Sequence, residues 1–407
     1  MSKRILKIVI ICIIIGVGLV SIPQLFSSES SERIIELSSN PPQKELIKQV
    51  FSDPSGTYKG DTERVTISAN GDIMFHGVQI SSAYENGSYN FDDNFKHVKK
   101  YIQNADLALG NFETTTAGGQ PTGYPVFNAP DETLKTLSDV GYDVLATANN
   151  HALDKGKNGI IRTIEKINEN NMVNVGTYTE PGEHIYITEI NGIKISILAY
   201  TYGLNGMDSL LTNEERDYMV NLIREDKIKK DIERSKELGA DFTIAFMHWG
   251  NEYQLTPSSY QVELANDMFS WGADIILGSH PHVIQKSEIV EVDGEMKYII
   301  HSMGNFISNQ RRETLGSIAN KNYTEDGVIV NITLEKDFLS DKSKIHSVNY
   351  IPTWVNRTGS SNNYKYEILP VKDALNYNLS NEIKSKLEES YKNTMGKMKL
   401  YRDISGN

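Results

Sequence analysis

Seven short apolar runs in this chain each stop at a cluster of glycine, amide, carboxylate or imidazole residues, and that repetition constrains the fold more than any other feature. Val65–Ala69 stops at Asn70-Gly71-Asp72, Asp106–Leu109 at Gly110-Asn111-Phe112-Glu113, and Asp143–Ala148 at Asn149-Asn150-His151. Ile193–Tyr200 stops at Thr201-Tyr202-Gly203, and Phe242–Met247 at His248-Trp249-Gly250. Ile275–Leu277 leads into Gly278-Ser279-His280-Pro281-His282, and Tyr298–Ile300 into His301-Ser302-Met303-Gly304-Asn305. Short Ile/Val/Leu/Ala runs with such punctuation read as β-strands. Helical patterns lie between them: Glu132–Val140, Gly159–Asn168, the charged Lys227–Leu238, and Ser259–Trp271. The alternation predicts an α/β layered fold. In such folds ligands collect beyond the carboxyl ends of strands, where all of these clusters sit, so one composite site is expected.

The two ends of the chain read differently. Ser2-Lys3-Arg4 and Lys7 precede an apolar run from Ile8 to Ile22. Counted from Ile5 to Phe26 it approaches the ~20 residues that a bilayer helix needs. The basic flank predicts a cytoplasmic N-terminus and an extracellular body. No small-x-small site follows the run, which favours an uncleaved anchor over residues 1–26 above a signal peptide. Residues 27–63 are rich in Ser, Glu and Pro and read as a linker. The main body is expected over 64–326. Beyond it, over 327–407, Val328–Leu334, Ile345–Trp354 and Tyr364–Leu369 read as strands and Asn381–Met398 as a helix. These could continue a sheet or form an appended β-rich unit.

The net charge of −12 excludes a general nucleic-acid binder, because phosphate neutralisation needs a basic surface. Cys12 is the only cysteine, so thiolate metal clusters and internal disulfides are excluded. Imidazole, carboxylate and amide ligands remain. His280 and His282, at i and i+2 around Pro281, would project to one side of an extended segment and converge on one ion. His248 offers a third nitrogen, or packs against Trp249. Asp72 is either a ligand or part of a Gly-Asp turn. Asn150 and His151 either join the site or form a loop ahead of the next helix. Glu113 supplies a second carboxylate. Such a mixed O/N set suits Mn, Fe or Zn, as one or two ions.

In this order, Gly71-Asp72-Ile73-Met74, Gly110-Asn111-Phe112-Glu113, Asn149-Asn150-His151-Ala152-Leu153-Asp154-Lys155-Gly156, His248-Trp249-Gly250-Asn251-Glu252-Tyr253, Gly278-Ser279-His280-Pro281-His282-Val283 and Ser302-Met303-Gly304-Asn305-Phe306 resemble the poly-γ-glutamate capsule synthesis proteins of the CapA/PgsA type. That family in turn resembles the calcineurin-like metallophosphoesterases. The resemblance implies a four-layer α/β/β/α sandwich. It implies metal ligands at Asp72, Asn150, His248, His280 and His282, with Glu113 near the metal-bridging position. It also implies a leaving-group protonation role for His151. Asp154, Glu252 and Tyr253 fall in the capsule family's own blocks and are candidate substrate contacts, as is Arg311, which together with Arg312 could equally be a loop charge pair. Implied partners are the poly-γ-glutamate polymer, a membrane-bound ligase, polytopic proteins and the membrane itself.

Two departures stand out. Met74 occupies the place of a histidine in Asp-x-His, with His76 a candidate substitute. Asn111 replaces the aspartate expected to bridge two ions, a role that Glu113 would have to take. Three functions follow as expectations: a membrane-anchored capsule component, an extracytoplasmic phosphoesterase, or a metal-stabilised assembly module.

Overall fold

Residues 61–403, apart from 362 and 399, are described by the computed structural model. The expected anchor over 1–26 and the linker up to residue 60 lie outside the described residues. Among the described residues no helix is long and apolar enough to cross a membrane.

The strands in chain order begin with β1 (Thr62–Ile73), a small hairpin of β2 (Tyr84–Glu85) and β3 (Ser88–Tyr89), β4 (Leu107–Phe112), β5 (Val144–Ala146) and β6 (Val173–Val175). Next come β7 (Tyr186–Ile190), β8 (Ile193–Thr201), β9 (Phe242–His248), β10 (Ile275–Ser279), β11 (Ser287–Val292) and β12 (Glu295–Ile300). The last are β13 (Asn305–Ile307), β14 (Asp326–Asp337), β15 (Lys342–Thr358), β16 (Lys365–Pro370) and β17 (Leu400–Asp403). One sheet runs β16-β15-β14-β1-β4-β5-β6, with β13 also paired to β1; the other runs β17-β11-β12-β10-β9-β8-β7. Strands β1, β4, β5 and β6 are parallel, as are β8, β9, β10 and β12.

Side-chain alternation explains why these sheets form layers, because successive residues of a strand face opposite ways. Ile195, Ile197 and Ala199 of β8, Ile244 and Phe246 of β9, and Ile275 and Leu277 of β10 meet Val65, Ile67, Leu107, Leu109, Val328 and Val330 of the other sheet in one central core. The intervening Leu198, Ala245, Met247 and Ile276 face outward onto Ile228 and Ile232 of the helix Glu225–Glu237 and onto Leu264, Ala265 and Met268 of Ser259–Trp271. On the far face of the first sheet, Ala108, Phe112 and Leu145 pack with Leu134, Leu137 and Ile167 from Glu132–Val140 and Gly156–Glu169. The layers are therefore helix, sheet, sheet, helix.

Of the two readings open for residues 327–407, sheet continuation is the one observed. β14 pairs with β1 from Thr62↔Asp337 to Asn70↔Ile329, and β15 and β16 extend the same sheet. The helix Asn381–Met395 packs on it, and β17 then joins β11 of the other sheet. A strand reveals its inward face by its apolar pattern, but not which edge it will join.

One irregularity positions the site. The pairing of β1 with β4 slips between Asn70 and Asp72, so Gly71 is bulged. Bulges re-aim the next side chain, and here that side chain is Asp72. Only glycine fits, because a Cβ on Gly71 would lie 2.0 Å from the Gly304 carbonyl oxygen, the same oxygen that accepts from Asp72 N at 3.0 Å. Gly71→Ala is expected to cost about 1–3 kcal/mol, read as a lower denaturant midpoint at unchanged slope. An unaltered midpoint would show that β13 can retreat from β1 without loss.

Candidate metal centre

Five strand ends deliver the candidate ligands to one place. Asp72 ends β1, Glu113 follows β4, Asn150 lies in the loop after β5, His248 ends β9, and His280 and His282 follow β10. Asp72, Glu113, His248, His280 and His282 are each at most 3% exposed. Their donor atoms form two overlapping groups, Asp72–Glu113–His248 and Glu113–His280–His282, with all atoms of a group within 4.8 Å of one another. Glu113 is the member common to both. Its Oε1 lies 3.6 Å from His248 Nε2 and 3.8 Å from His282 Nε2.

The surroundings aim these groups. Asn111 Nδ2 donates to Asp72 Oδ1 at 2.8 Å and reaches Glu113 Oε2 at 3.4 Å, so the amide that stands in for a carboxylate holds the two acids together. His282 Nδ1 faces two acceptors, Asp72 Oδ2 at 3.0 Å and Asn305 Oδ1 at 3.1 Å. Nδ1 is therefore the nitrogen that donates, and Nε2 lies on the Glu113 side. Asn305 is itself oriented, since its Nδ2 donates to Gln310 Oε1 and the Thr324 carbonyl. His248 Nδ1 is 2.9 Å from Ser279 Oγ, and its Nε2 is 2.8 Å from Asn150 Oδ1. Backing of this kind is what fixes the tautomer and orientation of metal ligands.

The His-Pro-His turn departs from expectation in its mechanism. The segment is not extended: His280 has φ +95° and His282 φ +57°, both in the left-handed region. The rings converge, with centroids 5.8 Å apart, because two residues are held in a strained conformation and not because i and i+2 share a strand face. Such backbone costs about 1–3 kcal/mol per residue and persists where its surroundings over-determine it. Here the His280 N–H points to Asp72 Oδ1 at 3.4 Å.

Two buried polar atoms in the cluster have no hydrogen-bond partner, Glu113 Oε1 and His280 Nδ1. A buried acceptor left unpaired costs about 1–3 kcal/mol. A divalent cation fits this donor set and would give both atoms a partner. Burial, and then the neighbouring Asp72, push the Glu113 carboxyl well above its ordinary range. Burial, and then the other histidines, push His248 and His280 well below theirs, so both are neutral imidazoles.

Beside the cluster, His151 Nδ1 lies 2.8 Å from Asp154 Oδ2, which also accepts from Phe127 N. Phe127 packs edge-on against the imidazole at 4.6 Å. Asp154 thus orients His151, a role that spacing alone does not assign. His76 is partly buried, with Asn309 N approaching its Nδ1 at 3.3 Å. Burial takes it down to about 3, so it is neutral, and it belongs to neither ligand group. Met74 is buried, with its sulfur 3.9 Å from Ser308 Oγ. Arg311 is placed elsewhere: its guanidinium pairs with Glu325 and Glu313 and donates to the Val355 carbonyl, and Arg312 also pairs with Glu325. Glu252 is exposed and Tyr253 half-buried at the rim. Sequence reasoning did not single out Tyr202, whose ring lies 4.5 Å from that of His280, nor Asn111 and Asn305 as orienting amides. Their signal was position alone, since each sits in a polar cluster at a strand end.

Metal binding must expel the proton that Glu113 holds above its ordinary range, whereas the depressed histidines have none to give. Apparent affinity for Mn or Zn is therefore expected to rise with pH until Glu113 ionises and then level off, with roughly one proton released per binding event. Calorimetry in buffers of different ionisation enthalpy measures this, and release of two or more would show charged histidines in the metal-free cluster.

Residues 66–310, more than half of the chain, match the family model described as bacterial capsule synthesis protein PGA_cap. The chain is 30% identical over 263 residues to the capsule biosynthesis protein CapA of Bacillus anthracis, covering 61% of each chain. It is also 30% identical over 261 residues to the PGA biosynthesis protein CapA of Bacillus subtilis (strain 168), covering 62% of this chain and 65% of that one. The matched part thus spans less than two thirds of either relative. Among solved structures, calcineurin-like phosphoesterase YfkN from Bacillus subtilis aligns with TM-score 0.41 and 16% identity over 82% of this chain and 98% of that one. A phosphatase from Mycoplasma pneumoniae aligns with TM-score 0.42 and 16% identity over 72% and 94%. Likeness at that level decides nothing about this chain. The sequence match does, and it covers the segments that carry every ligand of the buried cluster: the chain belongs to the bacterial capsule synthesis protein PGA_cap family.

Proposed function

We propose that this protein is a metal-dependent component of poly-γ-glutamate capsule biosynthesis, anchored in the membrane by residues 1–26 with its body outside the cell. It would act there with a membrane-bound ligase and polytopic partners in assembling or exporting the polymer. Family membership supports the pathway and the basic-then-apolar N-terminus supports the placement. The observation that carries the metal dependence is the orphaned Glu113 Oε1, common to both ligand groups and buried within reach of His248 and His282.

Asp72, Glu113, His248, His280 and His282 would hold Mn, Fe or Zn, with Asn150 contributing an amide oxygen. When bound, such an ion supplies Lewis acidity toward a carbonyl or phosphoryl oxygen. The chain's own groups do the rest. Asn111 keeps the two carboxylates in register. His151, held through Nδ1 by Asp154, has Nε2 left for proton exchange with a leaving group. A binding module has no need of an oriented His–Asp pair beside its metal, so that pair favours hydrolytic or transfer chemistry. One observation favours the second reading, a metal-stabilised assembly part: the buried thioether of Met74 removes one nitrogen from the set that a two-ion site would use.

The test combines metal analysis with capsule measurement. His280→Ala and Glu113→Gln are expected to lose bound metal and capsule together. His151→Ala is expected to keep its metal and to slow the reaction by about 10²–10⁴-fold, seen as loss of polymer. Normal capsule from His280→Ala would overturn the metal-dependent reading, and normal capsule from His151→Ala alone would select the assembly role.

A further inference from the structure

An asparagine beside a cation has a difficulty that a carboxylate lacks. The two ends of its amide are nearly the same shape and opposite in polarity: the oxygen attracts a cation and the NH2 repels it. Asn150, 3% exposed in the loop after β5, has Oδ1 on the cluster side, 2.8 Å from His248 Nε2. At its other end, Nδ2 donates to Asn205 Oδ1 at 3.1 Å. The Tyr202 hydroxyl also bonds Asn150, but a hydroxyl donates or accepts equally well and so favours neither orientation of the amide.

Asn205 comes from the other sheet, in the loop after β8, and its own backbone is fixed. Met207 N donates to the Leu204 carbonyl at 2.9 Å, closing a turn whose two central residues are Asn205 at φ +53° and Gly206 at φ +76°. Asn-Gly is the preferred pair where both central residues are left-handed. The turn stands on Leu204, buried in the central core, and the loop is tied at its start by Tyr202 N, which donates to the His248 carbonyl at 3.0 Å. An exposed side chain thus reaches a buried one from a rigid base. The turn accounts for an asparagine at this position but not for its contact, since glycine would make the same turn and leave Asn150 unheld. Asn205 Nδ2 stands 3.5 Å from His151 Nδ1, too far for a strong hydrogen bond.

We propose that Asn205 is a positioning residue for the metal centre: by accepting from Asn150 Nδ2 it turns Asn150 Oδ1 toward the cation. One sheet then supplies the amide and the other supplies the group that aims it. This rests on the metal-dependent reading above.

The test is titration of the full-length protein with Mn. Asn205→Gly, which removes the side chain and is at ease at φ +53°, is expected to weaken Mn binding roughly tenfold without moving the denaturant midpoint. Asn205→Asp is expected to keep the affinity, because a carboxylate only accepts. In an Asn150→Asp background Asn205→Gly is expected to change nothing, since the two oxygens of a carboxylate are equivalent and there is no amide end to orient. Tyr202→Phe is expected to bind Mn as the parent does. Unchanged affinity in Asn205→Gly overturns the proposal, as does an equal loss in Asn205→Asp. The same loss in both backgrounds would make Asn205 a structural residue only, and a loss in Tyr202→Phe alone would give the role to Tyr202. An unsubstituted protein that binds no Mn would overturn the metal-dependent reading, and this proposal with it.

Discussion

Two carboxylates with no solvent contact, Asp72 and Glu113, are the constraint on which the rest of this molecule depends. Burying charge is expensive unless it is paired and hydrogen-bonded, and the features around the cluster answer that cost. Asn111 bonds both acids, His282 donates to Asp72, and the bulge at Gly71 turns Asp72 toward them. The remaining imidazoles are kept neutral by the same burial that disfavours a second anion. What these partners leave unmet is one carboxylate oxygen and one ring nitrogen, which is the chemistry of a cation.

The layered sandwich meets this need because parallel strands deliver their carboxyl ends to one edge of each sheet. β1 and β4 contribute the acids, β9 and β10 contribute the imidazoles, and the central core between the sheets holds both sets in register. No single element contains the site. Its accuracy depends on sheet-to-sheet packing, which is stiff in a way that a surface loop is not.

Much of this was legible in the sequence, for a definite reason. Apolar runs with glycine, amide and histidine at their ends announce both the strand and the place where chemistry collects, and Asp72, Glu113, His248, His280 and His282 all follow that rule. The backbone at His280 and His282 did not, since a left-handed conformation in two histidines is imposed by contacts across the fold and not by local preference. Nor did the orienting roles of Asn305 and Asp154, which depend on side chains that meet only after folding. The attachment of β14 to β1 was equally hidden: its alternation says that one face is buried, but an antiparallel partner can come from anywhere in the chain.

That attachment has a consequence in time. β1 carries Asp72, yet its outer edge is covered by β14 from Thr62 to Asn70, and β17, the last described strand, caps the opposite sheet. Until residues 326–337 have left the ribosome, the first strand presents an open ladder of unpaired amides and carbonyls, an invitation to mispair. A chain of this order has the strand that bears Asp72 waiting on residues made far later, so the sheet beside the centre is completed late in the life of each new molecule.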